Sequence, residues 1–153
     1  MPEPYDKEVC DDRNCLDVFD ATIQKTNSWL DDVMQVGGWP DRHTAYRALR
    51  ATLHALRDRL IIDEVAQLGA QLSMLIRGLY YEGWDPSNKA LKERRPEQFL
   101  ARIEHELRDD GGFDPEWVAR SVFTVLAMRV SDGEIEDVKH LLPEKLRYLW
   151  PET

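Results

Sequence analysis

An internal repeat constrains this chain more than any other feature. When the sequence is shifted by 70 residues, residues 50–80 fall on residues 120–150 without a gap. A fixed period of this kind indicates a duplicated structural unit. Seven positions are identical across the shift: Arg50/Arg120, Leu56/Leu126, Arg59/Arg129, Glu64/Glu134, Leu72/Leu142, Arg77/Arg147 and Leu79/Leu149.

Apolar residues within the repeat recur at helical spacing. In both copies the intervals between them are four, three and four residues, which places one apolar stripe along an amphipathic helix. We therefore predict that these residues are buried and that the two helices superpose. The first stripe consists of Leu49, Leu53, Leu56 and Leu60, and the second of Ala119, Phe123, Leu126 and Val130.

The sequence predicts an all-α fold, because no segment has the alternating pattern of a strand. We expect two fused, pseudo-symmetric helical repeats of about four helices each, forming one compact bundle. Glycine, proline and charged residues indicate a linker between the repeats. The predicted division is a flexible acidic N-terminal segment (1–15), a first helical repeat (16–81), a linker (82–95) and a second helical repeat (96–153).

Local patterns predict how several helices begin and pack. Ser131 and Glu134 fit a capping box, in which each side chain bonds the other residue's backbone N–H. Arg59 and Arg129 precede Glu64 and Glu134, respectively, so each pair is predicted to bridge the bend between its own two helices. In the first helix, one inner face is predicted to contain Leu16, Phe19, Ile23, Leu30 and Val33.

Composition and charge limit the classes of partner. Hydrophobic residues make up 42% of the chain and charged residues 32%, as in soluble globular proteins. The formal net charge of -9 disfavours binding to nucleic acid or an anionic membrane. Without a signal-peptide core or a membrane span, the chain is predicted to be cytoplasmic, with Cys10 and Cys15 as free thiols.

The sequence contains no recognisable catalytic or metal-binding motif. Its four histidines form no H-x-x-x-H pair, and two cysteines do not supply a zinc site. No serine or cysteine motif with an adjacent base is visible. We therefore predict no catalytic residues, no metal ligands and no cofactor, and we expect the chain to fold without metal.

Several of these segments resemble an uncharacterised bacterial family, the domain-of-unknown-function 2267 family. The resemblance covers roughly residues 29–151 and is carried by residues 48–60, by LIRG at 75–78, by YYEGWDP at 80–86, by GEIEDV at 133–138 and by residues 142–151. Ser73 departs from the family pattern, which has proline there as the second copy does at Pro143. The resemblance implies a small helical protein and brings no catalytic residues with it.

Two functional hypotheses follow. The leading one is a non-enzymatic protein-interaction or adaptor module that contacts a protein partner or a second copy of itself through Tyr80, Tyr81 and Trp84. The alternative is a small-molecule-binding protein or enzyme that uses a cleft between the repeats, lined by Arg50, Arg120 and His54. A solid apolar junction between the repeats would favour the first hypothesis, and a deep polar pocket the second.

Overall fold

The computed structural model describes residues 16–87 and 95–152, and both ranges are helical with no strand. The predicted all-α class is therefore confirmed for these residues. The first half contains α1 (Asp17–Gly37), α2 (Arg42–Arg57), α3 (Ile62–Ala70) and α4 (Met74–Tyr81). The second half contains α5 (Pro96–Leu107), α6 (Pro115–Arg129) and α7 (Asp132–Leu141), with 3₁₀ helices at Arg108–Asp110 and Glu144–Leu149.

Two predicted segments fall wholly or partly outside this description. The acidic segment 1–15, with Cys10 and Cys15, lies outside the described residues. So does 88–94, which is the middle of the predicted linker 82–95. The division into a first repeat, a linker and a second repeat therefore stays a prediction.

The helices α2 and α6 form the centre of the bundle. They contact each other directly, and both α1 and α5 pack against the pair. The buried residues of α2 and α6 are mainly apolar, and both repeated stripes are buried as predicted. The innermost residues, with no exposed surface, include Leu49, Leu53, Leu56, Ala119, Phe123 and Leu126. The described helices thus form one compact bundle.

The shorter helices are buried at equivalent positions in the two halves. α3 packs against α7, and α4 packs against α2 and α3. Five pairs of residues separated by the 70-residue shift are buried in both halves. The buried pairs are Val65/Ile135, Leu68/Val138, Leu72/Leu142, Ile76/Leu146 and Tyr80/Trp150. Superposition of the two halves as rigid units remains a prediction.

Two arginines join the halves by stacking on an aromatic ring of the opposite half. The guanidinium carbon of Arg59 lies 4.8 Å from the ring centroid of Phe99, and that of Arg129 lies 5.2 Å from Trp29. Arg129 also donates to Asp32 at 2.7 Å. The prediction that Arg129 bridges its own bend to Glu134 is therefore wrong, because Arg129 reaches across to α1.

The helix ends confirm some of the predicted signals and correct others. Gly38 closes α1 with a φ of 72°, a left-handed conformation that suits glycine. Ser131 accepts a hydrogen bond from the backbone N–H of Glu134, as in a capping box. The reciprocal bond is absent, since the Ser131 N–H donates to Gln71 of α3 instead. Ser73 precedes α4 but makes no capping bond with its side chain.

The first part of α1 departs from the predicted inner face. Leu16 and Phe19 are 57% and 55% exposed. None of residues 17–28 is buried, and the first buried residue of α1 is Trp29. The first three turns of α1 extend beyond the other described helices, so this part of its face is exposed. None of the described helices combines the length and the apolarity needed to cross a bilayer.

Truncation of the central helices tests the importance of the α2–α6 contact. Leu56→Ala and Leu126→Ala should each lower the free energy of unfolding by about 2–5 kcal/mol, because each leaves a cavity in a fully packed core. Urea denaturation monitored by circular dichroism measures this loss. Leu75→Ala is the control, since Leu75 is half-exposed and should cost less than about 1 kcal/mol. Equal losses in all three variants would contradict the proposed core.

Candidate functional site

The three aromatic residues predicted to bind a partner have different exposures. Tyr80 has no exposed surface, and its hydroxyl donates to the backbone oxygen of Val65 at 2.9 Å. Burial also raises the pKa of the Tyr80 hydroxyl, which stays protonated. Tyr80 is therefore a core residue and cannot present its ring to a partner. Tyr81 and Trp84 are half-buried and pack against the core from outside.

Tyr81 and Trp84 form a tilted aromatic pair at the exit from α4. Their ring centroids are 5.5 Å apart, and the Tyr81 ring lies 5.0 Å from that of Tyr80. Gly69 of α3 leaves the space that Tyr81 occupies, because a Cβ atom at this position would overlap the Tyr81 hydroxyl. The pair is thus held against the bundle while part of the Trp84 surface faces solvent.

The backbone at the end of α4 is held by side chains of α2. Buried Arg57 donates from Nη1 to the backbone oxygens of Tyr80 at 2.9 Å and of Glu82 at 2.8 Å. His54 Nε2 lies 2.8 Å from the Leu79 oxygen, so this nitrogen carries the proton. The last carbonyl groups of a helix have no partner within the helix, and these two side chains supply one. The direction in which the chain leaves α4 is therefore defined by α2.

Two carboxylates flank Trp84. Glu82 accepts a hydrogen bond from Arg50 at 2.8 Å, and this bond lowers the pKa of the Glu82 carboxyl. Hydrogen bonds from the side chain and backbone of Ser87 lower the pKa of Asp85. Both carboxyl groups are therefore ionised at neutral pH. In the sequence they lie on either side of the partly exposed Trp84.

The three residues predicted to line an inter-repeat cleft do not all line one groove. A groove of about 460 Å³ runs between α2 and α5, which belong to different halves. His54 lines it and lies 3.6 Å from Glu106, and Arg50 lies 3.5 Å from the same carboxylate. Neither Arg50 nor Arg120 is among the lining residues. The groove is lined by Ala51, His54, Ala55, Asp58, Gln98, Ala101, Arg102, His105 and Glu106.

Arg120 lies on α6 with partners of its own half. Its Nη2 is 3.8 Å from Glu116, and its guanidinium lies over the ring of Tyr148 at 5.2 Å. The structure thus brings Arg50 and His54 together at Glu106 and leaves Arg120 elsewhere. Arg50 and Arg120 are equivalent in the repeated sequence, but their partners in the structure are different.

A cluster of carboxylates lies where α3 packs against α7. Glu64 and Glu134 are only 5% and 8% exposed, and exposed Asp137 completes the group. One carboxylate oxygen from each residue lies within 4.8 Å of the others. Sequence reasoning assigned each glutamate to its own helix bend and missed this pairing. The repeat itself contained the signal, because equivalent residues can meet where two copies pack symmetrically.

The cluster alters the protonation of Glu64. Burial, a hydrogen bond with Glu134 and the negative charges of Glu134 and Asp137, in decreasing order of importance, together raise the pKa of Glu64 to about 8. Two ionised carboxylates only accept hydrogen bonds, so Glu64 and Glu134 bond to each other only while one of them holds a proton. The raised pKa of Glu64 favours the presence of this shared proton.

Comparison with known proteins places most of the chain in one family. The family described as "Uncharacterized conserved protein (DUF2267)" matches residues 26–149. This match confirms the resemblance predicted from the sequence motifs. No curated protein matches the chain.

Stability should depend on pH through Glu64. Because its pKa rises from 4.5 to about 8 on folding, the protonated form stabilises the fold below pH 4.5, and this contribution is lost as pH rises towards 8. Glu64→Gln should remove the dependence and raise stability at pH 8 by about 1–3 kcal/mol. Thermal unfolding in a metal-free buffer at several pH values measures both effects.

Glu136→Gln is the matched control for this experiment. Glu136 is an exposed carboxylate on the same helix as Glu134 and pairs with Lys139. Its substitution should leave the pH dependence unchanged. If Glu64→Gln and the unmodified protein lose stability in parallel between pH 5 and about 8, the Glu64 carboxyl is not the titrating group.

Proposed function

We propose that this chain, which belongs to the DUF2267 family, is a non-enzymatic protein-interaction module. Its contact surface is the exit from α4, centred on Trp84 and supported by Tyr81. Its partner is a protein segment with an apolar side chain flanked by basic residues.

The carrying observation is the fixed and partly exposed ring of Trp84. Tyr81 packs against this ring at a tilt, and Arg57 anchors the backbone of the preceding residues through Tyr80 and Glu82. A large aromatic side chain held in one place loses little conformational entropy when a partner covers it. Tryptophan is also among the residues most often found at the energetic centres of interfaces.

Charge complementarity supports a basic partner. Glu82 and Asp85 are ionised beside Trp84, and the whole chain has a formal net charge of -9. Complementary potentials increase the rate at which partners meet and disfavour partners of the same sign. The same charge argues against nucleic acid and anionic membranes as partners, and the proposal keeps the module in the cytoplasm.

Differences between the two halves support an interaction role for the first. Four apolar residues at the beginnings of α3 and α4 are exposed, although their counterparts in the second half are polar. Packing within the bundle does not require them, and apolar side chains left in water often mark contact sites. The four pairs are Ile61/Ser131, Ile62/Asp132, Met74/Glu144 and Leu75/Lys145.

Peptide selection tests this proposal without a known partner. Peptides selected from a random library against the folded chain should combine Lys or Arg with Leu, Phe or Met. Trp84→Ala should weaken their binding by about tenfold or more, because it removes the apolar centre of the surface. Fluorescence anisotropy with a labelled selected peptide measures the affinity, and circular dichroism checks that each variant folds.

Trp117→Ala is the control, since Trp117 is a half-exposed tryptophan on α6 of the second half. It should bind the selected peptides as the unmodified chain does. Sedimentation velocity shows whether the partner is a second copy, in which case Trp84→Ala should dissociate a dimer. Selected peptides that bind Trp84→Ala and the unmodified chain equally would refute the proposed surface.

A second candidate function rests on the groove between α2 and α5. Its mixed lining of His54, His105, Glu106, Asp58 and Arg102 suits a small zwitterionic ligand better than an apolar one. Titration of the chain with individual amino acids, followed by calorimetry, tests this alternative. Binding that His105→Ala weakens and Trp84→Ala leaves unchanged would favour a small-molecule-binding protein over the interaction module.

A further inference from the structure

Protein contacts alone do not satisfy the hydrogen-bonding capacity of the carboxylate cluster between α3 and α7. The Oε1 atoms of Glu64 and Glu134 are buried, and neither has a hydrogen-bond donor within the described part of the chain. Both side chains are more than nine-tenths buried and meet at the same point as Asp137. Buried carboxylate oxygens without donors are costly unless a proton or a cation neutralises them.

We propose that Glu64, Glu134 and Asp137 bind a hard divalent cation between the two halves. The ligand atoms are carboxylate oxygens, and no histidine or cysteine belongs to the cluster among the described residues. Oxygen ligands are those preferred by Ca²⁺, Mg²⁺ and Mn²⁺, whereas zinc sites usually contain nitrogen or sulfur. The sequence predicted no metal ligands, so the proposed site departs from that prediction.

The number of carboxylates favours Ca²⁺ over Mg²⁺. Three carboxylate oxygens come within 4.8 Å of one another. Ca²⁺ accepts several carboxylates in a flexible geometry, whereas Mg²⁺ requires near-ideal octahedral geometry, keeps several waters and is usually bound through one or two carboxylates. We therefore expect Ca²⁺ to bind more tightly than Mg²⁺.

Asp137 provides the route by which an ion reaches the buried glutamates. It is exposed, while Glu64 and Glu134 lie beneath it. An ion held by all three retains access to water on the side of Asp137, and water can supply the remaining ligands. The counterpart of Asp137 in the first half is Gln67, which is neutral. The entrance is therefore on the side of α7.

A bound cation would add a further link between the two halves, at the contact between α3 and α7. Glu64 belongs to α3 of the first half, and Glu134 and Asp137 belong to α7 of the second. One ion shared by these residues links the halves where like charges otherwise repel. It stabilises the folded chain by mass action, because the unfolded chain does not hold the three carboxylates together. The apolar core lies elsewhere in the bundle, so we expect the chain to fold without metal.

Isothermal titration calorimetry with the metal alone tests the site. The full chain is freed of metal with a chelator and titrated with CaCl₂, MnCl₂ or MgCl₂ at a mildly alkaline pH, which limits competition from protons. We expect one equivalent of Ca²⁺ or Mn²⁺ to bind and the melting temperature to rise by several degrees. Glu134→Gln and Asp137→Asn should each weaken binding by about tenfold or more.

Glu136→Gln again provides a control of equal charge on the same helix, and it should bind the ions as the unmodified chain does. Asp137→Asn alters only an exposed side chain, so it keeps the test valid if Glu134→Gln does not fold. An absence of binding at millimolar ion would show that a proton alone neutralises the cluster and would overturn the proposal. Equal binding by Asp137→Asn would place the ion elsewhere on the acidic surface, with the same consequence.

Discussion

The burial of α2 against α6 is the contact on which the other contacts of this bundle depend. Both helices carry the repeated apolar stripe, and the hydrophobic effect favours removing the two stripes from water together. α1 and α5 each lie against both central helices, so their positions are defined only when α2 and α6 are in contact. α3, α4, α7 and the C-terminal 3₁₀ helix then cover the remaining apolar surface. A filled apolar junction leaves the polar groove at the edge of the bundle.

The partner of each repeated residue depends on where that residue lies in the bundle. Arg59 and Arg129 each lie over an aromatic ring of the opposite half, and a cation–π contact of this kind is favourable. Glu64 and Glu134 instead meet each other. Wherever a repeated residue meets its own counterpart, like chemistry meets like, which favours an apolar pair and opposes a charged pair. The carboxylates therefore require a neutralising proton or cation, whereas the arginines require neither.

Function is best sought where the two halves differ. His54 and Arg57 fix the end of α4 in the first half, while Thr124 and Ala127 occupy the corresponding positions of α6. Among the described residues, the buried cation that holds the chain leaving α4 has no counterpart at the corresponding position of α6. Trp84 lies in this segment, beyond the end of the repeated sequence. Duplication accounts for shared packing, and residues that exist in one copy are free to serve another role.

The sequence by itself determined the helical class, the apolar stripes and the family, because periodic burial is a local property that spacing records. It also determined which residues recur, but not what they meet. Only the tertiary structure decided that Glu64 faces Glu134, that Arg129 reaches α1, that Arg50 and Arg120 lie apart and that Tyr80 is core. Each of these facts depends on how separate helices are oriented in space. Spacing within one helix contains no information about that orientation, because it arises from the packing of all the helices together.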